Sequence, residues 1–339
     1  MLRALMGLVW SKNLKMCFKH HSDDISLLFE ILIYFWNSQA RLMSQLEDPI
    51  IIFGTGRCGS SILSEIVFRH PSLAFPSNYN EFFPRLKEVS LIRHLFDNRW
   101  WNKVGAKPQK GKSHALYNLI FQPGESYSMW KSLCGDEVDF IRGFLLEEQL
   151  SDQRKEKMRA FFCDMVRLQG RDRLAFKITG PSRLRFLHSV FPGAQFVRMT
   201  REPLDTIHSW LKVDFWKTRG LSHLWWNGVY TPEQLDWVRS HAEQPHMVAA
   251  LQYKMLMETA DREISETPVQ IHTLAYEEFR DQPMNEVSRV LEFCGLDEDP
   301  RVEAYVRDRI VYKKKVPDHD LFSIREIEDI KGVLNRSIL

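Results

Sequence analysis

The chain has 339 residues, 44% hydrophobic and 27% charged, the composition of a folded globular protein and not of a disordered, collagenous or disulfide-scaffold chain. At about 150 residues per domain the length suggests about two domains, or one α/β domain carrying insertions. The 46 basic and 44 acidic side chains leave a net charge of +2. That is too small to attract a polyanion by bulk electrostatics, so nucleic acid is not expected as a partner and any anion must be held locally.

The apolar run Ala4 to Trp10 lacks a small-residue cleavage site and is followed by Lys12, Lys15 and Lys19, which reads against a secretory signal. Ile25 to Trp36 falls short of the roughly 20 residues of a membrane helix, so no membrane span is expected. Residues 1–45 read as amphipathic helices packing on the body or on a partner. Cys17, Cys58, Cys134, Cys163 and Cys294 are odd in number and lack CxxC pairing, which fits reduced thiols, no structural metal and a cytoplasmic location.

Four short apolar runs read as buried strands: Ile50–Phe53, Leu174–Ile178, Gln195–Met199 and Val269–Leu274. Helical stretches separate them, which predicts an α/β fold with a parallel sheet flanked by helices. The first run leads through Gly54-Thr55-Gly56-Arg57-Cys58-Gly59-Ser60-Ser61 into a helix over 61–69, stopped by His70-Pro71. Residues 85–150, with Trp100, Trp101 and Trp130 and no strand pattern, read as a largely helical insertion over the site. Residues 151–169 carry the apolar stripe Met158, Phe161, Phe162, Met165, Val166 of a helix. Val287, Val290, Leu291 and Phe293 mark another before Gly295. The main domain is placed at 46–330 and a C-terminal tail at 331–339.

Two stretches carry the chemistry. Glycines between a buried strand and a helix turn backbone N–H groups inward, and the free N–H groups and positive dipole end of the helix favour phosphate or sulfate, giving a P-loop-like anion cradle. Gly54 and Gly59 have the spacing of a nucleoside-triphosphate loop, yet Ser60 stands where its lysine belongs and the cation has moved to Arg57. A nucleotide kinase is therefore the weaker alternative. In the second stretch a strand ends in Arg198 to Arg201, and Pro203 opens a helix with Asp205 in its first turn. Arg201 then sits at the carboxyl end of a strand, where open α/β sheets bind ligands.

The loop GTGRCGSSIL, followed by Arg201 and a serine, Ser209, eight positions later, resembles the two nucleotide motifs of the sulfotransferase superfamily, in the form of its bacterial carbohydrate and tyrosylprotein branches. The segment Leu274 to Phe279 and the helix ending Phe293-Cys294-Gly295 resemble that family's late strand and helix. The resemblance implies 3′-phosphoadenosine 5′-phosphosulfate (PAPS) as co-substrate. It places Arg57, Cys58, Gly59, Ser60 and Ser61 at the 5′-phosphosulfate, with Cys58 departing from the usual serine, and Arg201 and Ser209 at the 3′-phosphate. Lys313-Lys314-Lys315 stands where relatives place a basic loop, which assigns Lys314 to the nucleotide.

Sulfuryl transfer needs stabilisation of the leaving oxygen and a base for the acceptor proton. The sulfuryl group carries less charge than a phosphoryl group, so no metal is expected. In the phenol- and steroid-sulfating branch a histidine serves as base within a Lys-Thr-His segment. Here the corresponding stretch reads Lys177-Ile178-Thr179, which disfavours that branch. The other branches use a glutamate after the first helix, and Glu81 in Asn80-Glu81-Phe82-Phe83 is the candidate base, desolvated by its two phenylalanines. Lys177 is a candidate for neutralising the transferring group, and Arg57 for steadying the departing phosphate. The histidines read as packing residues. The motifs do not specify the acceptor: a small molecule or saccharide is expected, lipid and peptide stay open, and Trp100, Trp101, Trp130, Trp216, Trp225 and Trp226 are candidate walls of an apolar or sugar-stacking pocket. A homo-oligomer is compatible with this reading. A binding scaffold without turnover is the non-enzymatic alternative.

Overall fold

A computed structural model describes residues 48–98, 119–309 and 318–335. The expected segment 1–45, Lys314, Trp100, Trp101 and Cys17 lie outside the described residues.

The run Ile50–Gly54 forms strand β1, buried along its whole length, as a strand covered on both faces of a parallel sheet is. With β2 (Leu73–Ala74), β3 (Arg173–Thr179), β4 (Gln195–Thr200) and β5 (Gln270–Ala275) it makes one sheet in the order β2-β3-β1-β4-β5. Every pairing is parallel, and Ile50 of β1 stands opposite Ala175 of β3 and Gln195 of β4. The four expected strands are present. The fifth, β2, is a two-residue edge too short for any apolar period to betray. From β1 the chain runs out to β2, returns to β3, and then crosses to β4. This reversal opens a crevice at the carboxyl end of β1.

The helices used below are α1 (Ser60–Val67), α2 (Asn78–Phe82), α3 (Tyr127–Cys134), α4 (Asp152–Leu168), α5 (Pro203–Leu211), α6 (Pro245–Glu266), α7 (Pro283–Phe293) and α8 (Ile324–Asn335). Alternating side chains divide the sheet between two layers. Ile51, Phe53, Phe176 and Phe196 pack with Met158, Phe162 and Met165 of α4. Ile50, Ile52, Ala175 and Val197 pack with Leu63 and Ile66 of α1 and Val290 and Leu291 of α7.

Residues 85–98 and 119–150 are short helical turns joined by irregular chain. Trp130 of α3 anchors this region, its ring stacked on Phe140 at 4.5 Å and near Phe162 at 5.2 Å and Phe176 at 5.0 Å. Helix α8 runs into the segment expected to be a tail. Ile330 and Val333, three residues apart on one helical face, are buried, and Lys254 of α6 donates to the Leu334 carbonyl at 2.8 Å. Cys58, Cys134 and Cys294 are free thiols. Among the described residues no helix is long and apolar enough to cross a membrane.

Candidate active site

The crevice begins with the loop between β1 and α1. Gly56, Arg57 and Gly59 all have positive φ, at 83°, 58° and 94°, which curls the backbone into a cup. A side chain at Gly59 would place Cβ 2.5 Å from the Tyr276 ring, so only glycine fits there. Gly59 is also the N-cap of α1, where no side chain caps the helix and no acidic residue occupies the first turn. The positive end of α1 is thus left for an external anion. Cys58 is fully buried beneath the cup and contributes only its backbone to the rim, while Arg57 and Ser61 are exposed.

Helix α5 closes the other side. Pro203 starts it, and Arg201, just past β4, projects from the sheet edge. Arg201 Nη1 donates to the Arg57 carbonyl at 2.8 Å, and Arg57 Nε donates to Ser209 Oγ at 2.9 Å. The guanidinium of Arg201 lies 4.8 Å from the Tyr276 ring centroid and 3.7 Å from the Asp205 carboxylate. Trp210 Nε1 donates to the Gly56 carbonyl at 3.2 Å, and Tyr253 Oη donates to the Arg201 carbonyl at 2.9 Å. The two motifs therefore form one continuous surface.

On the β3 side, Lys177 Nζ donates to Ser61 Oγ at 2.9 Å and pairs with Glu125. The Glu125 carboxylate also accepts the Thr179 hydroxyl. Tyr127 brackets Thr179, its hydroxyl donating to the Thr179 carbonyl at 2.9 Å and accepting the Thr179 N–H at 3.1 Å. Burial pushes the Glu125 carboxyl up, but the Lys177 ammonium and the hydrogen bonds from Lys177 and Thr179 outweigh it and hold the group below the usual carboxylate range. Burial and the neighbouring Glu125 push the Tyr127 phenol up. Glu125 escaped the sequence reading because its neighbours Gly124 and Ser126 carry no periodicity and its partners lie more than 50 residues away.

Glu81 sits differently from expectation. It is exposed on α2, its neighbour Phe82 is 69% exposed, and the predicted desolvation is absent. Both its oxygens are engaged at the start of α3, one by the Ser128 N–H at 3.1 Å and the other by the Ser128 hydroxyl. Among the described residues no hydrogen bond or ion pair joins Glu81 to Arg57, Lys177 or Arg201. Of the candidate pocket tryptophans, Trp130, Trp216 and Trp226 are buried packing residues, and Trp225 is half-buried. Burial lowers His70 and His208 below the usual histidine range.

Three cations, Arg57, Lys177 and Arg201, thus converge at one sheet edge around a glycine cup and a free helix start. Asp205 and Glu125 are the carboxylates paired with them. Such an arrangement is chemically suited to an anion with more than one charged group.

The model of the Sulfotransferase family matches residues 49–300. Among solved structures, the sulfotransferase STF9 from Mycobacterium avium is similar, at 14% identity over 89% of this chain and 79% of that one, with a TM-score of 0.51. The sulfotransferase domain from the curacin biosynthetic pathway has 14% identity over 86% of this chain and 99% of that one, with a TM-score of 0.42. A retinol dehydratase solved with androsterone and inactive cofactor PAP has 11% identity over 88% of this chain and 84% of that one, with a TM-score of 0.35. No curated protein matches the chain.

Proposed function

Because the chain belongs to the sulfotransferase family, we propose that it moves a sulfuryl group from PAPS to a hydroxyl or amine of a small-molecule or saccharide acceptor, releasing 3′-phosphoadenosine 5′-phosphate (PAP). The observation that carries this reading is the pair of contacts, Arg57 to Ser209 and Arg201 to Arg57, which makes one surface of two motifs suited to the two ends of a single nucleotide. The residues present fit that nucleotide. Gly59 has no Cβ to fill the cup, and the cationic edge calls for more negative charge than Asp205 and Glu125 supply.

In this reading Arg57, Ser60, Ser61 and the Cys58 and Gly59 backbone hold the 5′-phosphosulfate, while Arg201 and Ser209 hold the 3′-phosphate. Lys314, outside the described residues, is assigned to the same nucleotide. PAPS supplies an activated sulfuryl group. Arg57 stabilises the charge that develops on the departing phosphate oxygen, and Lys177 at Ser61 neutralises the sulfuryl oxygens; preoriented donors of this kind are worth about 2.7–4 kcal/mol each. A carboxylate, Glu81 or Glu125, takes the acceptor proton. The reduced thiols fit a cytoplasmic enzyme.

Calorimetric titration with PAP and with ATP tests the assignment. PAP is expected to bind without magnesium and ATP weakly, because Ser60 stands where a kinase needs lysine. Magnesium-dependent ATP binding in preference to PAP would overturn the assignment. PAP binding without PAPS turnover in an acceptor screen would leave a scaffold.

A further inference from the structure

Two carboxylates are candidates for the base, Glu125 and Glu81, and their surroundings differ. Glu125 is fixed by its backbone: the segment 122–126 is laced to 76–80 by Asn78 N–H to the Gln122 carbonyl at 3.0 Å, Gly124 N–H to the Pro76 carbonyl at 2.9 Å and Ser126 Oγ to the Ser77 carbonyl at 2.8 Å. Its side chain bonds Lys177 and Thr179, and each of these reaches the loop. Lys177 bonds Ser61, and the Thr179 methyl would lie 2.7 Å from a Cβ at Gly56. The Glu125 carboxylate is therefore one side chain away from the cup at both ends of the loop. Its side chain is 23% accessible, so it is not sealed from the crevice.

A carboxylate has about four lone-pair positions. Lys177 and Thr179 bond this one, which leaves lone-pair positions for an acceptor O–H or N–H. The ammonium of Lys177 pairs with the carboxylate and favours its ionised form, the form that accepts a proton. Glu81 has the environment of a helix cap instead. Its oxygens are taken by the Ser128 N–H and hydroxyl, at the helix end whose dipole favours a negative charge. That contact sets α3, and α3 in turn delivers Tyr127 to Thr179.

We propose that Glu125, and not Glu81, takes the proton from the acceptor, with Glu81 serving as a positioning residue for α3. The proposal rests on the sulfuryl-transfer reading. In the step, the acceptor O–H bond breaks and its proton passes to a Glu125 oxygen while the acceptor oxygen bonds to sulfur. The bond from sulfur to the bridging oxygen breaks, and its electron pair stays on the phosphate of PAP.

The test uses the full chain and measures PAP affinity by calorimetry, thermal unfolding, and PAP release from PAPS with a pooled set of alcohols, phenols, amines and sugars. Glu125→Gln is expected to keep PAP affinity within threefold and to lose at least 100-fold in turnover. In Glu125→Ala, added formate is expected to restore turnover at least tenfold, a response that a structural residue would not give. Glu81→Ala is expected to lower the unfolding temperature, to reduce turnover less than tenfold and to show no formate rescue. Full turnover in Glu125→Gln, or formate rescue in Glu81→Ala alone, overturns the proposal. Failure of the wild-type chain to bind PAP would instead overturn the sulfuryl-transfer reading.

Discussion

Arg57 donates from Nε to the hydroxyl of Ser209 at 2.9 Å, across 152 residues of sequence. A loop cation and a helix hydroxyl from different motifs thus share a hydrogen bond at the sheet edge. The relationship sets the first expectation. Ser209→Ala is expected to weaken PAP about tenfold and Arg201→Ala at least 100-fold, since hydrogen bonds to charged groups contribute about 1.5–3 kcal/mol. Adenosine 5′-phosphosulfate, which lacks the 3′-phosphate, is expected to lose little affinity in either variant. Calorimetric titration of both nucleotides checks this, and equal losses for both would argue against a 3′-phosphate at Arg201.

Arg57→Ala removes the exposed cation of the cup. Turnover of PAPS is expected to fall at least 100-fold, because about 2.7–4 kcal/mol of stabilisation goes with a single preoriented donor. Arg57→Lys is expected to recover only part of this, since an ammonium lacks the guanidinium fork. Steady-state PAP release measures both.

Gly59→Ala tests the backbone of the cup. With φ at 94° and a Cβ that would sit 2.5 Å from the Tyr276 ring, the alanine is expected to cost about 1–3 kcal/mol in urea unfolding. PAP affinity is expected to fall with it. Unchanged stability would show that the loop adopts another conformation in solution.

The pH dependence of stability follows from the depressed Glu125 carboxyl. A folded value below the unfolded reference of 4.5 means that the stabilisation is complete above pH 4.5 and is lost as pH falls through the folded value. The stability gap between wild type and Glu125→Gln is therefore expected to be widest at neutral pH and to narrow below pH 4.5. Urea unfolding at stepped pH reads the gap directly.

Much of the fold was legible. Ile50 to Phe53 reads as a buried strand because its side chains are apolar on both faces, and both faces are covered. The loop declared itself through glycines that only a positive φ explains, and Arg201 through its place at a strand end before a proline. The Glu81 environment was misjudged because two following phenylalanines suggest burial, whereas Phe82 points to solvent. Glu125 was invisible for the opposite reason. A carboxylate in an irregular segment has no period, and its value comes from Lys177 and Thr179, which are far off in sequence and join it only when the chain folds back.

The indole of Trp210 ties α5 to the carbonyl of Gly56, so the helix that bears Ser209 and the loop that bears Arg57 are riveted at a third point. A ligand meeting both must then match a span that the protein does not readily adjust. In the proposed reading the site is a calliper, and nucleotides whose charged ends lie too near together or too far apart are expected to bind poorly whatever base they carry.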